Sequence, residues 1–237
     1  MSLHESVVFN GIELASHIPG SHVTDINVGS IETEHVTSAR VARAGSLFSH
    51  KRDAIRPITV SIELPIDNRE GIMHNYNQLR MWAESEQPQP LYLPNYDRYI
   101  YCIFSSMSEL NISEWYKPIE VSFIAYDPYF YGLTRSGDVG TTFHVLGDVA
   151  VPFKIECTIE EAVEAPSWLV DDAFSIALTG SVGVGSLVID TERGLVTLNG
   201  ESINAQISLA SRFKELTPGK HTITGTAGKI AWIERWK

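Results

Sequence analysis

The chain has 237 residues, of which 43% are hydrophobic and 20% charged, with 29 acidic against 18 basic side chains and a formal net charge of −11. That length exceeds the roughly 100–150 residues of the commonest single domains and predicts two of them. No apolar run approaches the ~18 residues of a membrane-spanning helix, and the excess of carboxylates excludes a protein that grips nucleic acid through many phosphate contacts.

The amino terminus, MSLHESVVFNGIELASHIPG, lacks a basic region followed by an apolar core. No secretory signal is read there, and folding in a cytoplasm is expected. From Ser38 to Arg56 the chain is polar and glycine-punctuated, and it carries Arg40, Arg43, Lys51, Arg52 and Arg56, five of the 18 basic residues. In an acidic protein such unevenness predicts a protruding hairpin or contact loop. The alternative is a solvated loop without a partner.

RPITVSIELPI places Ile58, Val60, Ile62 and Leu64 on one face and Thr59, Ser61 and Glu63 on the other, which predicts a strand ending at Pro65. Asp67 and Glu70 suit a capping box, and Ile72, Met73, Tyr76, Leu79 and Ala83 then recur at helical spacing. One amphipathic helix is expected over about residues 69–85. Extended patterns resume after the Gln87-Pro88-Gln89-Pro90 stretch. IEVSFIAYDPYFYG then joins an alternating strand, with Ile119, Val121, Phe123 and Ala125 on one face, to the stop at Asp127-Pro128.

The segment from Leu133 to Asp148 is rich in Gly, Thr and Asp and reads as the connection between domains. The division is drawn at residues 1–133 and 134–237. Beyond it, Phe174 to Leu178, Leu187 to Asp190, Leu195 to Leu198, His221 to Thr224 and Ile230 to Trp236 read as short strands of a β-sandwich. Asn199-Gly200 is a two-residue hairpin signal.

Catalytic and metal-binding groupings are not found. The eight histidines lack the spacing of a zinc site. Glu160, Glu161, Glu164, Asp171 and Asp172 lack the alternating ligands of a calcium loop and read as solvated. GSVGVGS, with Gly180, Gly183 and Gly185, precedes a strand rather than a helix, so it offers phosphate no helix N-terminus. Cys102 and Cys157 sit in apolar strands and read as buried thiols. Trp115-Tyr116, Trp168, Trp232 and Trp236 could stack on sugar rings, although core or interface packing is the commoner use. The reading is therefore no enzyme, no metal and no cofactor.

Several motifs, in order, resemble the distal tail proteins of phages or prophages with long non-contractile tails. They are Phe9-Asn10-Gly11, Arg56-Pro57-Ile58, Leu79-Arg80-Met81-Trp82, Asp97-Arg98-Tyr99 running to Cys102, the stop from Asp127 to Gly132, Ile189-Asp190-Thr191-Glu192, and Leu216-Thr217-Pro218-Gly219. The resemblance implies a mainly β protein. Its N-terminal domain would be a β-sandwich or split-barrel-like unit with one helix that forms a hexameric ring, and its C-terminal domain a peripheral galectin-like β-sandwich. It implies a structural hub at the virion tail tip, made in the bacterial host cytoplasm, that joins the major tail tube protein to the tail-associated lysin or tail tip protein. The outer domain can hold a receptor-binding protein, DNA passes through without specific binding, and no membrane is involved. On that reading Arg40, Arg43, Lys51, Arg52 and Arg56 contact a neighbouring subunit or the tube. The alternative is a carbohydrate-binding, host-adhesion protein acting through the C-terminal sandwich.

Overall fold

The computed structural model describes residues 6–39, 46–65, 68–94, 96–111 and 117–237. The chain is mainly β and divides into two units, Met1–Phe130 together with Lys237, and Tyr131–Trp236.

The first unit opens with β1 (Val8–Phe9) and β2 (Ile12–Glu13). They are joined by Asn10-Gly11, whose φ values of 51° and 75° give the left-handed pair that a two-residue hairpin requires. A one-turn helix, α1 (Leu14–His17), follows, in addition to the single helix expected. Next come β3 (His22–Val28), β4 (Thr33–Ala39), β5 (Ser46–Asp53), β6 (Arg56–Glu63), α2 (Arg69–Ala83), β7 (Gln89–Tyr92), β8 (Tyr99–Met107) and β9 (Ile119–Ala125).

Two antiparallel sheets share β8. Its first half pairs with β7, which continues to β1 and β2, whereas its second half pairs with β9, which continues to β6 and β3. A register shift between Phe104 and Ser106 marks the change of sheet. A bulged strand of this kind bends a sheet around a core without closing it into a barrel. Ile58, Val60 and Ile62 on β6 and Ile119, Val121, Phe123 and Ala125 on β9 are all buried, as their alternation predicts. Phe9 from one sheet, Phe123 from the other and Trp82 from α2 meet there, with ring centroids 5.0, 5.9 and 6.3 Å apart.

The N-cap of α2 is Asn68, whose Oδ1 accepts from the backbone N–H of Gly71 at 2.8 Å. The predicted box began one residue earlier, at Asp67, which lies outside the described residues. The buried stripe of α2 is Ile72, Leu79, Trp82 and Ala83, and Met73 points outward. Met73 sits about 100° around the helix from Ile72, and Trp82, three residues beyond Leu79, takes the inward place.

The second unit contains β10 (Phe130–Asp138, of which Tyr131 onward belongs here), β11 (Thr142–Val145), β12 (Phe153–Ile159), β13 (Val163–Glu164), β14 (Ser167–Val170) and β15 (Phe174–Ala177). It continues with β16 (Ser181–Val182), β17 (Gly185–Asp190), β18 (Leu195–Leu198), β19 (Glu201–Ser202), β20 (Gly219–Gly225) and β21 (Lys229–Trp236). One sheet runs β19-β18-β17-β12-β21-β10 and the other β11-β20-β14-β15, with β13 and β16 a separate small pair. Phe153, Ile155, Leu187, Ile189 and Ile230 from the first, with Trp168, Ile176 and Ile223 from the second, form one buried core. That is a β-sandwich.

Residues 133–148, read from composition as a connection, are mostly strand. Phe143 and Val145 are buried while Thr142 and His144 face out, a period of two that the surrounding Gly and Thr obscured. Asn199-Gly200 forms the predicted turn, with φ of 53° and 86° and Leu198 paired to Glu201.

Candidate assembly surface

The basic segment folds as part of a two-stranded ribbon, in which β4 and β5 pair with each other and with no other strand among the described residues. Each strand is too short of neighbours to bury a face, and an isolated hairpin is only marginally stable in water. The ribbon's base is held by backbone bonds from Glu32 N to Ile55 O and from Ala54 N to Glu32 O, both 2.8 Å.

Of the residues expected to make contacts, Arg40 and Arg43 lie outside the described residues, in the segment joining β4 to β5. Lys51 is exposed on β5. Arg52 stands directly across from Glu34 in the register, and its Nη2 lies 2.6 Å from Glu34 Oε2. An exposed pair of this kind adds under about 1 kcal/mol, but it neutralises Arg52 within the ribbon. Arg56 is placed elsewhere. It begins β6, is 6% exposed, and its guanidinium lies 5.2 Å from the centre of the Phe130 ring. The guanidinium is therefore directed into its own unit and away from a surface.

Asp53, at the end of β5, accepts from the Lys237 ammonium and the Tyr129 hydroxyl, each at 2.9 Å. Those two donors, the lysine first, hold its carboxyl below the usual carboxylate range.

A second feature of the first unit is the sheet edge at β3. Among the described residues β3 pairs only with β6, so its other edge is unpaired. Beside that edge lies a groove of about 710 Å³ lined by residues including Glu13, Gly20, His22, Thr24, Asp25 and Pro94, with no lysine or arginine in its lining. HVTDINV could have been read as a strand from Val23, Ile26 and Val28, but a register shift between Val23 and Asp25 breaks the alternation.

The other candidate chemistries resolve into structural roles. Trp168 is wholly buried and donates through Nε1 to Thr226 O at 2.8 Å, and Trp232 is also buried, so neither offers a platform for a sugar ring. Trp115 and Tyr116 lie outside the described residues. Asp171, from the acidic cluster, accepts from Thr222 N at 2.8 Å and faces His221 Nδ1 at 2.6 Å, tying the β14–β15 turn to β20. Gly185 in GSVGVGS opens β17 against the Asn199 side chain, and no helix follows. Burial pushes the Cys102 thiol far up and the Cys157 thiol up to about 11, so both remain protonated at neutral pH. No group of three or more His, Cys, Asp or Glu that could hold a metal ion occurs among the described residues.

Residues 146–236 match the family model described as siphovirus-type tail component, C-terminal domain. The match falls within the second unit, Tyr131–Trp236. The resemblance to distal tail proteins read from the motifs agrees with it. The whole chain is similar in fold to the Dit (gp 19.1) protein of phage SPP1, described as a paradigm of the hub adsorption apparatus in Gram-positive infecting phages. The TM-score is 0.80 at 14% identity, over 98% of this chain and 99% of that one. At that identity the likeness establishes the fold alone. Chains of the phage p2 baseplate in its activated conformation, with Ca and with Sr, are 8% identical and cover 88% and 90% of this chain and 90% of each of theirs. Their TM-scores of 0.46 and 0.47 carry no argument. Among curated proteins none matches the chain.

Proposed function

We propose that this chain is a structural hub of a long, non-contractile phage tail, and not an enzyme. Copies of residues 1–133 form a closed ring, probed below as a hexamer, that continues the tail tube, and residues 134–237 stand at the periphery. The ring joins the major tail tube protein to the tail-associated lysin or tip protein, and the outer sandwich is available to a receptor-binding protein. What carries this reading is one agreement: the second unit matches a tail-component family, and the fold along 98% of the chain follows a protein described as a hub.

Physical features of the chain support it. A net charge of −11 suits a wall past which DNA slides without adhering, because phosphates are repelled from it. A ribbon and a sheet edge that have no partner among the described residues of the first unit are the features a ring-forming subunit would complete through its neighbours. Mass photometry and negative-stain images of the full chain test the proposal. Closed rings with a central opening, with a mass of six copies, are expected. A monomer at every concentration, or open filaments, would overturn it.

A further inference from the structure

We propose that Asn10 is a site of spontaneous deamidation, at which the β1–β2 turn converts to aspartyl and isoaspartyl forms while the second Asn-Gly turn of the chain stays intact. The proposal stands apart from the hub reading.

Asn-Gly occurs at Asn10-Gly11 and at Asn199-Gly200. Both are exposed two-residue hairpin turns with the same left-handed backbone, φ being 51° and 75° in the first and 53° and 86° in the second. Each hairpin also lies beside a third strand, in the orders β2-β1-β7 and β19-β18-β17. Phe9 pairs with Leu91 and Leu198 with Leu187, so the registers continue to Pro90 opposite Asn10 and Ser186 opposite Asn199. The backbone N–H of Asn10 donates to Pro90 O at 3.1 Å, and that of Asn199 to Ser186 O at 2.8 Å. Any backbone obstacle to reaction is therefore common to the two turns.

The residues opposite differ in one group. In a hydrogen-bonded antiparallel pair the N–H and C=O of one residue face the same partner. The Ser186 N–H accordingly faces Asn199 and is donated to its Oδ1 at 2.9 Å. The Asn199 carboxamide also approaches Val184 O at 3.4 Å and lies against Gly185, where a Cβ would collide with it. Pro90 has no N–H to give. The Asn10 carboxamide has no hydrogen-bond partner among the described residues.

In the reaction the Gly11 backbone nitrogen, after loss of its proton to hydroxide, attacks Asn10 Cγ, and the absence of a glycine side chain leaves the approach open. The new N–C bond forms as the Cγ–Nδ2 bond breaks, the departing nitrogen takes up a proton and leaves as ammonia, and a succinimide remains. Water then opens either carbonyl, giving aspartate or an isoaspartyl link that routes the main chain through Cγ. Each conversion adds a negative charge to a chain whose formal charge is −11. The isoaspartyl form also lengthens the main chain between Phe9, which stacks on Phe123 and Trp82, and Ile12, whose carbonyl accepts from Trp82 Nε1 at 2.9 Å.

Incubation of the full chain at mildly alkaline pH tests this, with peptides carrying each turn followed by mass spectrometry. The Asn199 carboxamide must leave Ser186 before its Cγ can be attacked, and one hydrogen bond of ordinary net strength corresponds to about a tenfold difference in rate. Asn10 is therefore expected to convert about tenfold faster than Asn199 or more, and faster still as pH rises. Pro90→Ser supplies the missing N–H and is expected to slow Asn10 by about the same factor, in a protein whose circular dichroism matches the parent. Equal rates at the two sites, or a folded Pro90→Ser variant in which Asn10 converts as fast as in the parent, would overturn the proposal. The comparison of the two turns in the unaltered chain decides the matter even if that variant does not fold.

Discussion

Replacing Phe123 with alanine tests whether the first unit has its own core. The ring is fully buried, with centroids 5.0 Å from Phe9, 6.3 Å from Trp82 and 6.5 Å from Phe104, so it touches both sheets and the helix. Truncating a core phenylalanine to alanine costs about 3–5 kcal/mol, and the loss of these aromatic contacts puts this site in the upper part of that range. With a urea slope of about 2 kcal/mol per molar, the midpoint of the first unit should fall by about 2 M. Pulsed hydrogen exchange across a urea series reads the two units separately. Peptides from β6 and β9 should show the shift, and peptides from β12 and β17 should unfold at their original midpoint. Equal shifts in both sets would mean that the units melt as one and that the separate-core argument is wrong. A loss below about 1 kcal/mol would refute the packing argument itself.

Two further outcomes concern the second unit. Burial raises the pKa of Asp190, but the backbone N–H of Arg193, the Lys154 ammonium at 3.1 Å and the backbone N–H of Glu192 outweigh it and hold the carboxyl below its usual range. Its contribution is therefore present above about pH 4 and is lost as pH falls through the lowered value, so Asp190→Asn should flatten the acid limb of stability in urea midpoints. An unchanged acid slope would refute this. Gly225 has φ of 137°, and a Cβ there would collide with the Ser167 carbonyl of β14, which is fixed by pairing with β20. Gly225→Ala should cost about 2 kcal/mol or more and lower the melting temperature of this unit by roughly 10 °C in calorimetry, and a fall of under about 2 °C would count against it.

What the sequence determined by itself was the set of residues that face a core. Alternation along β6 and β9 identified Ile58, Val60, Ile62, Val121 and Phe123 correctly, because a strand's two faces are fixed by its backbone. Asn199-Gly200 likewise specified its own turn, since few residue pairs adopt two left-handed conformations in succession. The helix was legible in extent, although its cap is Asn68 and its inward aromatic is Trp82. The motif order also pointed to the tail-component family that the second unit matches. Tertiary structure alone decided which edges remain open and which charges remain available. Arg56 and Lys51 look alike in a basic segment, yet one lies against Phe130 and the other is exposed. Asp171 meets His221 from fifty residues away, and among the described residues β3 pairs with β6 alone because the strand that follows it folds against β5 instead. Local periodicity records a residue's own backbone geometry, and pairing between distant segments is set by the competition among all the faces that need covering.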